Sequence, residues 1–300
     1  MKHSEKRRSA LKKIAVGTVV VGSGGMAYAS TDKLMQTKKN QPDLLMLKGN
    51  VNHSVCRWCY NPMPLEELIE GAKELGLKSI EILGPDDWKL VQQHGLTCAV
   101  ATGPFVSIEN GFNEPENHEK LRKGYEGLIN QAADDGLPNV ICFSGNRRDI
   151  SDEQGLEQCA IGLEPLVKQA EQRNIMLIME LLNSKVNHKD YQCDKTPWGV
   201  KLVEKIGSPN FKLLYDIYHM QIMEGDVIAT IRAYHQHIAH YHTGGVPGRH
   251  EIDETQELYY PAIIKAIVET GYSGYLGQEF VPTWEDKLAA LKQGVEICDV

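Results

Sequence analysis

The sequence of 300 residues has no long uninterrupted hydrophobic run, no excess of basic residues and no regular cysteine spacing. The apolar stretch at residues 14–26 is interrupted by glycines and is short for a permanent transmembrane helix. The formal net charge of −8 gives a surface that repels nucleic acid and anionic lipid. We therefore expect neither a nucleic-acid partner nor a membrane-bound mature protein.

The seven cysteines are an odd number and do not form a disulfide framework, so most are expected to be buried thiols. The pair Cys56 and Cys59 has the C-x-x-C spacing of a redox motif or of half a zinc site. A zinc site of this kind needs a second pair, which the sequence lacks. We interpret the pair as the end of a barrel strand that lines the mouth of the barrel.

Residues 1–29 have the pattern of an export leader. The basic segment Lys6–Lys12 contains Arg7 and Arg8, the apolar stretch follows, and Ala27-Tyr28-Ala29 forms a small-x-small cleavage signal. The arginine pair resembles a twin-arginine signal, which predicts an exported, periplasmic protein. A plain secretory peptide and an uncleaved anchor remain alternatives. Because residues 1–29 carry six Lys or Arg and one Glu, the mature chain has a net charge of about −13.

Residues 30–44 are polar and rich in lysine, and they predict a flexible tail before one domain at residues 45–300. In that domain, short apolar runs alternate with longer amphipathic segments such as 64–75 and 157–173. The second segment is expected to turn Ile161, Leu163, Leu166 and Ala170 toward the core. Eight such strand and helix units in order predict a single-domain α/β protein, a (β/α)8 TIM barrel. The predicted strands are 51–58, 79–83, 97–102, 139–145, 175–181, 211–217, 238–243 and 274–280.

Four residues lie near the C-terminal ends of the last four predicted strands: Glu180, Asp216, His242 and Glu279. A TIM barrel brings such positions together at one mouth. Three buried carboxylates would repel one another without a cation. Carboxylate oxygens and an imidazole predict one divalent metal ion, with Mn²⁺, Mg²⁺ or Co²⁺ favoured and Zn²⁺ possible.

Two connections predict a lid or substrate loop over this mouth. The connection 181–198 contains Asn183 and His188, and the connection 243–251 contains Arg249, so we expect these residues to contact substrate. We expect the same of His219, although packing at the barrel rim is an alternative for it and a surface ion pair for Arg249. His240 shares a strand face with His242 and is expected to orient a ligand carboxylate.

The stretches Leu214–Gly225, Val246–Glu251 and Gly277–Phe280 resemble the hydroxypyruvate isomerase group of the xylose isomerase-like TIM barrel superfamily. The resemblance covers about residues 45–297, and its most specific motif is Asp-Ile-Tyr-His-Met-Gln at 216–221. It implies that the four strand-end residues bind one divalent metal and that His219 and Arg249 contact substrate oxygens. It also implies that Glu180 and Glu279 accept and donate protons, and that the protein forms a homo-oligomer.

One position departs from that group. Hydroxypyruvate isomerases carry Gln where this chain has His242, whereas His is typical of the sugar isomerase and ketose 3-epimerase branches. The expected substrate is therefore either hydroxypyruvate or a ketose or keto-sugar.

The expected reaction is proton transfer next to a carbonyl. A metal that chelates an α-hydroxycarbonyl compound would stabilise an enediolate, and Glu180 or Glu279 would act as general base. Return of the proton to the adjacent carbon isomerises the substrate, and return to the same carbon from the other face epimerises it.

A lyase or dehydratase acting on a keto-sugar and a non-catalytic exported sugar-binding barrel remain alternatives. The acidic composition argues against a DNA-repair relative with three zinc ions and a basic groove.

Overall fold

The computed structural model describes residues 45–300, so the predicted leader and tail lie outside the described residues. Eight parallel strands form one sheet in the order β2-β1-β8-β7-β6-β5-β4-β3. Most read as continuous apolar runs, because a parallel strand is buried on both faces. The strands are β1 Asn52–Cys56, β2 Ser79–Glu81, β3 Val100–Ala101, β4 Asn139–Cys142, β5 Met176–Glu180, β6 Phe211–Asp216, β7 Ile238–Thr243 and β8 Tyr275–Gln278.

The sheet closes into a barrel between β2 and β3. Single parallel bridges join Ser79 to Thr97 and Leu83 to Ala101. The Ile82 amide also donates to the Val100 carbonyl oxygen at 2.8 Å. The predicted TIM barrel is therefore confirmed, with its weakest seam at the short strand β3.

Nine α-helices of the described chain surround the strands, two of them between β6 and β7. Helix α1, for example, turns Leu68, Ile69 and Ala72 toward the core, because residues three and four apart share one helix face. The helices are α1 Leu65–Glu74, α2 Pro85–Gln93, α3 His118–Asp134, α4 Asp152–Arg173, α5 Thr196–Ile206, α6 Ile217–Met223, α7 Val227–Tyr234, α8 Tyr260–Glu269 and α9 Lys287–Cys298. Short 3-10 helices occupy Arg57–Tyr60, Pro115–Asn117 and His235–His237.

Helix α4 differs from its prediction in two ways. It begins five residues earlier than residue 157, because Ser151 and Gln154 form a capping box at its N-terminus. The prediction that Ile161 faces the core is wrong, since its side chain is 51% exposed. The buried stripe runs through Leu163, Leu166 and Ala170, and Ile161 lies on the opposite face.

The seven cysteines are all buried free thiols, as expected. Cys56 ends β1, and Cys59 lies in the 3-10 helix that follows it. Burial raises the pKa of both thiols well above the ordinary value. No helix in residues 45–300 is long and apolar enough to cross a membrane.

Candidate metal and active site

The four predicted residues meet at the C-terminal mouth of the barrel. Glu180 ends β5, Asp216 ends β6, His242 is the penultimate residue of β7, and Glu279 directly follows β8. All four are buried, and one ligand-type atom from each lies within 4.8 Å of the others. The strand ends therefore assemble three carboxylates and one imidazole into one cluster.

Glu279 is the most fully paired member of the cluster. Its Oε1 accepts a hydrogen bond from the indole Nε1 of Trp58 at 2.8 Å. Its Oε2 lies 2.8 Å from His242 Nδ1 and accepts from Arg249 Nη2 at 2.6 Å. Burial opposes the charge of this carboxylate, but Arg249 and His242 together hold the pKa of Glu279 well below its usual range.

Glu180 and Asp216 have less compensation. Burial raises the pKa of both carboxyls, and the charge of Glu279 raises both further. Glu180 Oε1 is buried without a hydrogen-bond partner in the described chain. Asp216 Oδ1 caps helix α6 by accepting from the His219 amide at 3.0 Å, and its Oδ2 accepts from Arg249 at 3.2 Å.

This donor set fits a divalent cation. The raised pKa values of Glu180 and Asp216 and the unpartnered Glu180 oxygen indicate that the cluster lacks positive charge. A group of three carboxylates and one imidazole suits Mn²⁺, Mg²⁺, Co²⁺ or Zn²⁺. Glu180, Asp216, His242 and Glu279 are the residues that would hold the ion.

His219 lies fully buried beside the cluster. Burial and the charge of Arg249 lower its pKa well below the ordinary value, so the imidazole is neutral. The Asn183 amide nitrogen donates to His219 Nδ1 at 3.2 Å, which assigns the imidazole proton to Nε2. His219 Nε2 has no hydrogen-bond partner among residues 45–300 and lies 3.7 Å from Asp216 Oδ2. An N–H group beside the cluster is thus left available.

The other predicted substrate residues divide into two groups. Arg249 and His188 line a cavity of about 390 Å³ above the cluster, as expected for the two mouth loops. Asn183 is buried away from that cavity, where it contacts His219 and accepts hydrogen bonds from the amides of Val186 and Asn187. Asn183 therefore positions His219 and the loop that follows β5. The structure does not place Asn183 where it would contact a substrate in this cavity.

A further carboxylate, Glu81, lies beneath the cluster at the end of β2. Its Oε1 lies 3.3 Å from His242 Nε2 and 3.2 Å from His240 Nε2. Burial disfavours its charge, but the two imidazoles lower the pKa of Glu81 to about 2. His240 therefore contacts Glu81 and does not orient a carboxylate of the cluster, as was expected of it. Glu81 instead orients a cluster residue, because it contacts His242.

Sequence reasoning missed both Glu81 and Trp58. An acidic residue in the middle of the predicted strand 79–83 was a usable signal, because a buried carboxylate needs a partner. Nothing in the spacing of the sequence marks Trp58, whose side chain is 38% exposed and packs at 5.0 Å against the Arg249 guanidinium. That contact joins the end of β1 to the loop after β7.

The sequence matches the family described as "Xylose isomerase-like TIM barrel" over residues 69–298. The chain belongs to this family. Family membership agrees with the barrel and with the position of the cluster at the C-terminal ends of its strands.

Two curated relatives are isomerases by name. The 2-oxo-tetronate isomerase of Cupriavidus necator is 32% identical over 239 residues, which cover 74% of this chain and 89% of the relative. The hydroxypyruvate isomerase of Escherichia coli is 27% identical over 227 residues, which cover 71% of this chain and 86% of the relative. The expectation of an enzyme of the isomerase type is confirmed.

Among solved structures, a protein described as AP endonuclease, family 2 from Brucella melitensis superposes with a TM-score of 0.72. The two sequences are 23% identical, and the match covers 82% of this chain and 96% of the other. At this identity the similarity confirms the fold alone.

Proposed function

We propose that the protein is a divalent-metal-dependent isomerase that acts on an α-hydroxycarbonyl compound. The observation that carries this proposal is the cluster of Glu180, Asp216, His242 and Glu279, in which Glu180 Oε1 makes no hydrogen bond within the described chain. A bound divalent ion would supply Lewis-acid polarisation of the carbonyl and a fixed position for the neighbouring hydroxyl.

Glu180 is the general base in this proposal. Glu180 lines the cavity. Its buried Oε1 makes no hydrogen bond within the described chain and lies 3.7 Å from His242 Nδ1. Burial and the charge of Glu279 raise the pKa of this carboxyl, which is the direction that favours proton uptake by a general base. Glu180 would remove a proton from the carbon beside the carbonyl, which leaves an enediolate.

The enediolate oxygens need donors that are already in place. His219 is not among the residues that line the cavity, but its buried Nε2–H group lies 3.7 Å from Asp216 Oδ2 and has no hydrogen-bond partner among the described residues. Arg249 presents a guanidinium at the cavity wall, with 13% of its side chain exposed. Fixed donors beside the developing negative charge lower the barrier, because they need no reorganisation during the reaction.

The contacts of Glu279 favour isomerisation over epimerisation. Epimerisation needs a second acid on the opposite face of the carbon, but both Glu279 oxygens already accept hydrogen bonds and its pKa is lowered. Glu180 would instead return the proton to the adjacent carbon, while the hydroxyl proton passes to the former carbonyl oxygen. The result is exchange of the carbonyl and hydroxyl positions, with no net gain or loss of atoms.

The named relatives support this reaction class. Their names specify hydroxypyruvate and 2-oxo-tetronate, which are both small oxo acids with a hydroxyl group next to the carbonyl. We therefore place α-hydroxycarbonyl compounds of this size first in a substrate panel.

The test is deuterium exchange followed by NMR. The mature protein is freed of metal, reloaded with Mn²⁺, Mg²⁺ or Co²⁺ in turn, and incubated in D₂O with hydroxypyruvate, simple hydroxyketones and ketoses. We expect metal-dependent incorporation of deuterium next to the carbonyl, reduced about 10²–10⁴-fold in Glu180→Gln. The exposed residue Glu254 provides the matched control Glu254→Gln, which should behave as the wild type.

Each outcome distinguishes a different reaction. Exchange with conversion to an isomer supports the proposal, whereas release of an unsaturated product identifies elimination. A stoichiometric bound metal without exchange in any compound would contradict catalysis of this kind and support the binding-barrel alternative.

A further inference from the structure

The cavity above the cluster has one polar end and one apolar end. Its polar end is formed by Glu180, Glu279 and Arg249. Most of the remaining wall is aliphatic or aromatic, and it comes from the ends of β2, β4 and β5 and from the loop after β3. These wall residues are Ile82, Val106, Ile108, Ile141, Phe143 and Leu182.

The apolar end offers few partners to a charged or hydroxylated substrate, and Thr102 carries the one hydroxyl group among the described residues that line the cavity. Among the described residues that line the cavity, Arg249 is the sole Lys or Arg, and its guanidinium already pairs with Asp216 and Glu279. Burial and Arg249 lower the pKa of His188, so this imidazole is neutral. A carboxylate or several hydroxyl groups of a substrate would lose their water at the apolar end and gain few hydrogen bonds in return.

Ile82 gives independent support, because its backbone is unusual. It follows β2 with a φ of 59°, in the left-handed region that a β-branched residue rarely adopts. Glycine or asparagine would adopt this conformation more readily. A strained residue at the wall of a functional cavity points to a role for its side chain there.

We propose that the natural substrate is an uncharged α-hydroxycarbonyl compound whose far end is an alkyl or aryl group. This inference rests on the proposed function, since the cluster must hold the hydroxycarbonyl end. The apolar end would then bury against Ile82, Ile108 and Phe143, where removal of apolar surface from water supplies the binding energy.

The proposal predicts a rank order in the deuterium-exchange assay. The alkyl series is hydroxyacetone, 1-hydroxy-2-butanone and 1-hydroxy-2-hexanone. Each added methylene should raise kcat/KM about fourfold, so the series should span on the order of fiftyfold. Two matched pairs test polarity at constant chain length: 1-hydroxy-2-butanone should exceed erythrulose, and hydroxyacetone should exceed hydroxypyruvate.

A wall substitution tests the location of the apolar end. In Ile82→Asn, the side chain becomes polar while the new residue suits the left-handed backbone. We expect the ratio of kcat/KM for 1-hydroxy-2-hexanone to that for hydroxyacetone to fall about tenfold. Ile161→Asn makes the same chemical change at an exposed position outside the barrel and should leave the ratio unchanged.

The outcomes separate this inference from the proposed function. Exchange that is equal or faster with erythrulose or hydroxypyruvate would overturn the apolar-substrate inference and leave the isomerase proposal standing. An alkyl preference that persists in folded Ile82→Asn would also overturn it. Absence of exchange with every compound, despite bound metal, would overturn both. The rank order measured with the wild type is an independent test, so the inference can still be overturned if the Ile82→Asn variant does not fold.

Discussion

Glu81 links two imidazoles beneath the cluster and is fully buried. Its carboxylate lies against Gly277, where an added Cβ would collide with Glu81 Oε1, so a side chain at 277 is incompatible with this arrangement. Glu81 faces His242 Nε2 and favours a proton on that nitrogen, whereas His242 Nδ1 faces Glu279 Oε2 in the cluster. A carboxylate that fixes a ligand imidazole in this way is common at metal centres.

We predict that Glu81→Gln weakens divalent-metal binding about ten- to a hundred-fold, because the amide holds the His242 proton less firmly. Isothermal titration of metal-free protein measures the affinity, and a separate thermal melt without metal measures folding. The exposed Glu285→Gln serves as the control. A variant that loses stability but binds metal as tightly as the wild type would assign Glu81 a purely structural role.

Single residues differed in how far the sequence could predict them. Glu180, Asp216 and Glu279 were predictable, because each ends an apolar run and the barrel topology then brings the run ends together. The contacts of Asn183 and His240 were not, because which neighbour a polar side chain reaches depends on loop path and rotamer. Each of these two residues contacts another site residue and lies outside the cavity wall.

At the scale of single elements, the centres of strands and helices were predictable and their ends were not. The prediction for β7 matched residues 238–243, whereas the predicted strand 97–102 retains only Val100–Ala101 as strand. The seam between β2 and β3 is held by isolated bridges, which hydrophobic pattern does not encode. Helix α4 begins at its capping box, a signal that lies before the periodic residues.

The cap of α4 gives a prediction for stability. Ser151 Oγ accepts from the Gln154 amide at 3.1 Å, and Gln154 Oε1 accepts from the Ser151 amide at 3.0 Å. We expect Ser151→Ala to lower the free energy of unfolding by about 0.5–2 kcal/mol, which is a Tm decrease of roughly 1–8 °C for a domain of this size. Calorimetry of the metal-free protein checks this value. Metal affinity should not change, and a change would show that the cap is coupled to the mouth.

At the scale of the whole molecule, the barrel explains why residues a hundred positions apart meet. Parallel strands put all their C-terminal ends at one face, so an acid at the end of β5 and another after β8 share a cluster. The apolar cavity was not predictable by the same logic. Its wall combines the residue after β2, the loop after β3 and the residue after β4, and no sequence period relates these positions.

The leader that the sequence predicts at residues 1–29 would determine where the whole protein resides. Because a twin-arginine address is read by a receptor, and lysine does not reproduce the planar guanidinium, replacing both Arg7 and Arg8 with Lys should retain the uncleaved chain in the cytoplasm. Cell fractionation and intact mass measure this, and the wild type should be periplasmic and begin at residue 30. Replacing Lys12 and Lys13 with Arg also keeps the charge and should not affect export. Unchanged export of the Arg7 and Arg8 variant would instead indicate a plain secretory leader, and a wild-type mass that includes residue 1 would indicate an uncleaved anchor.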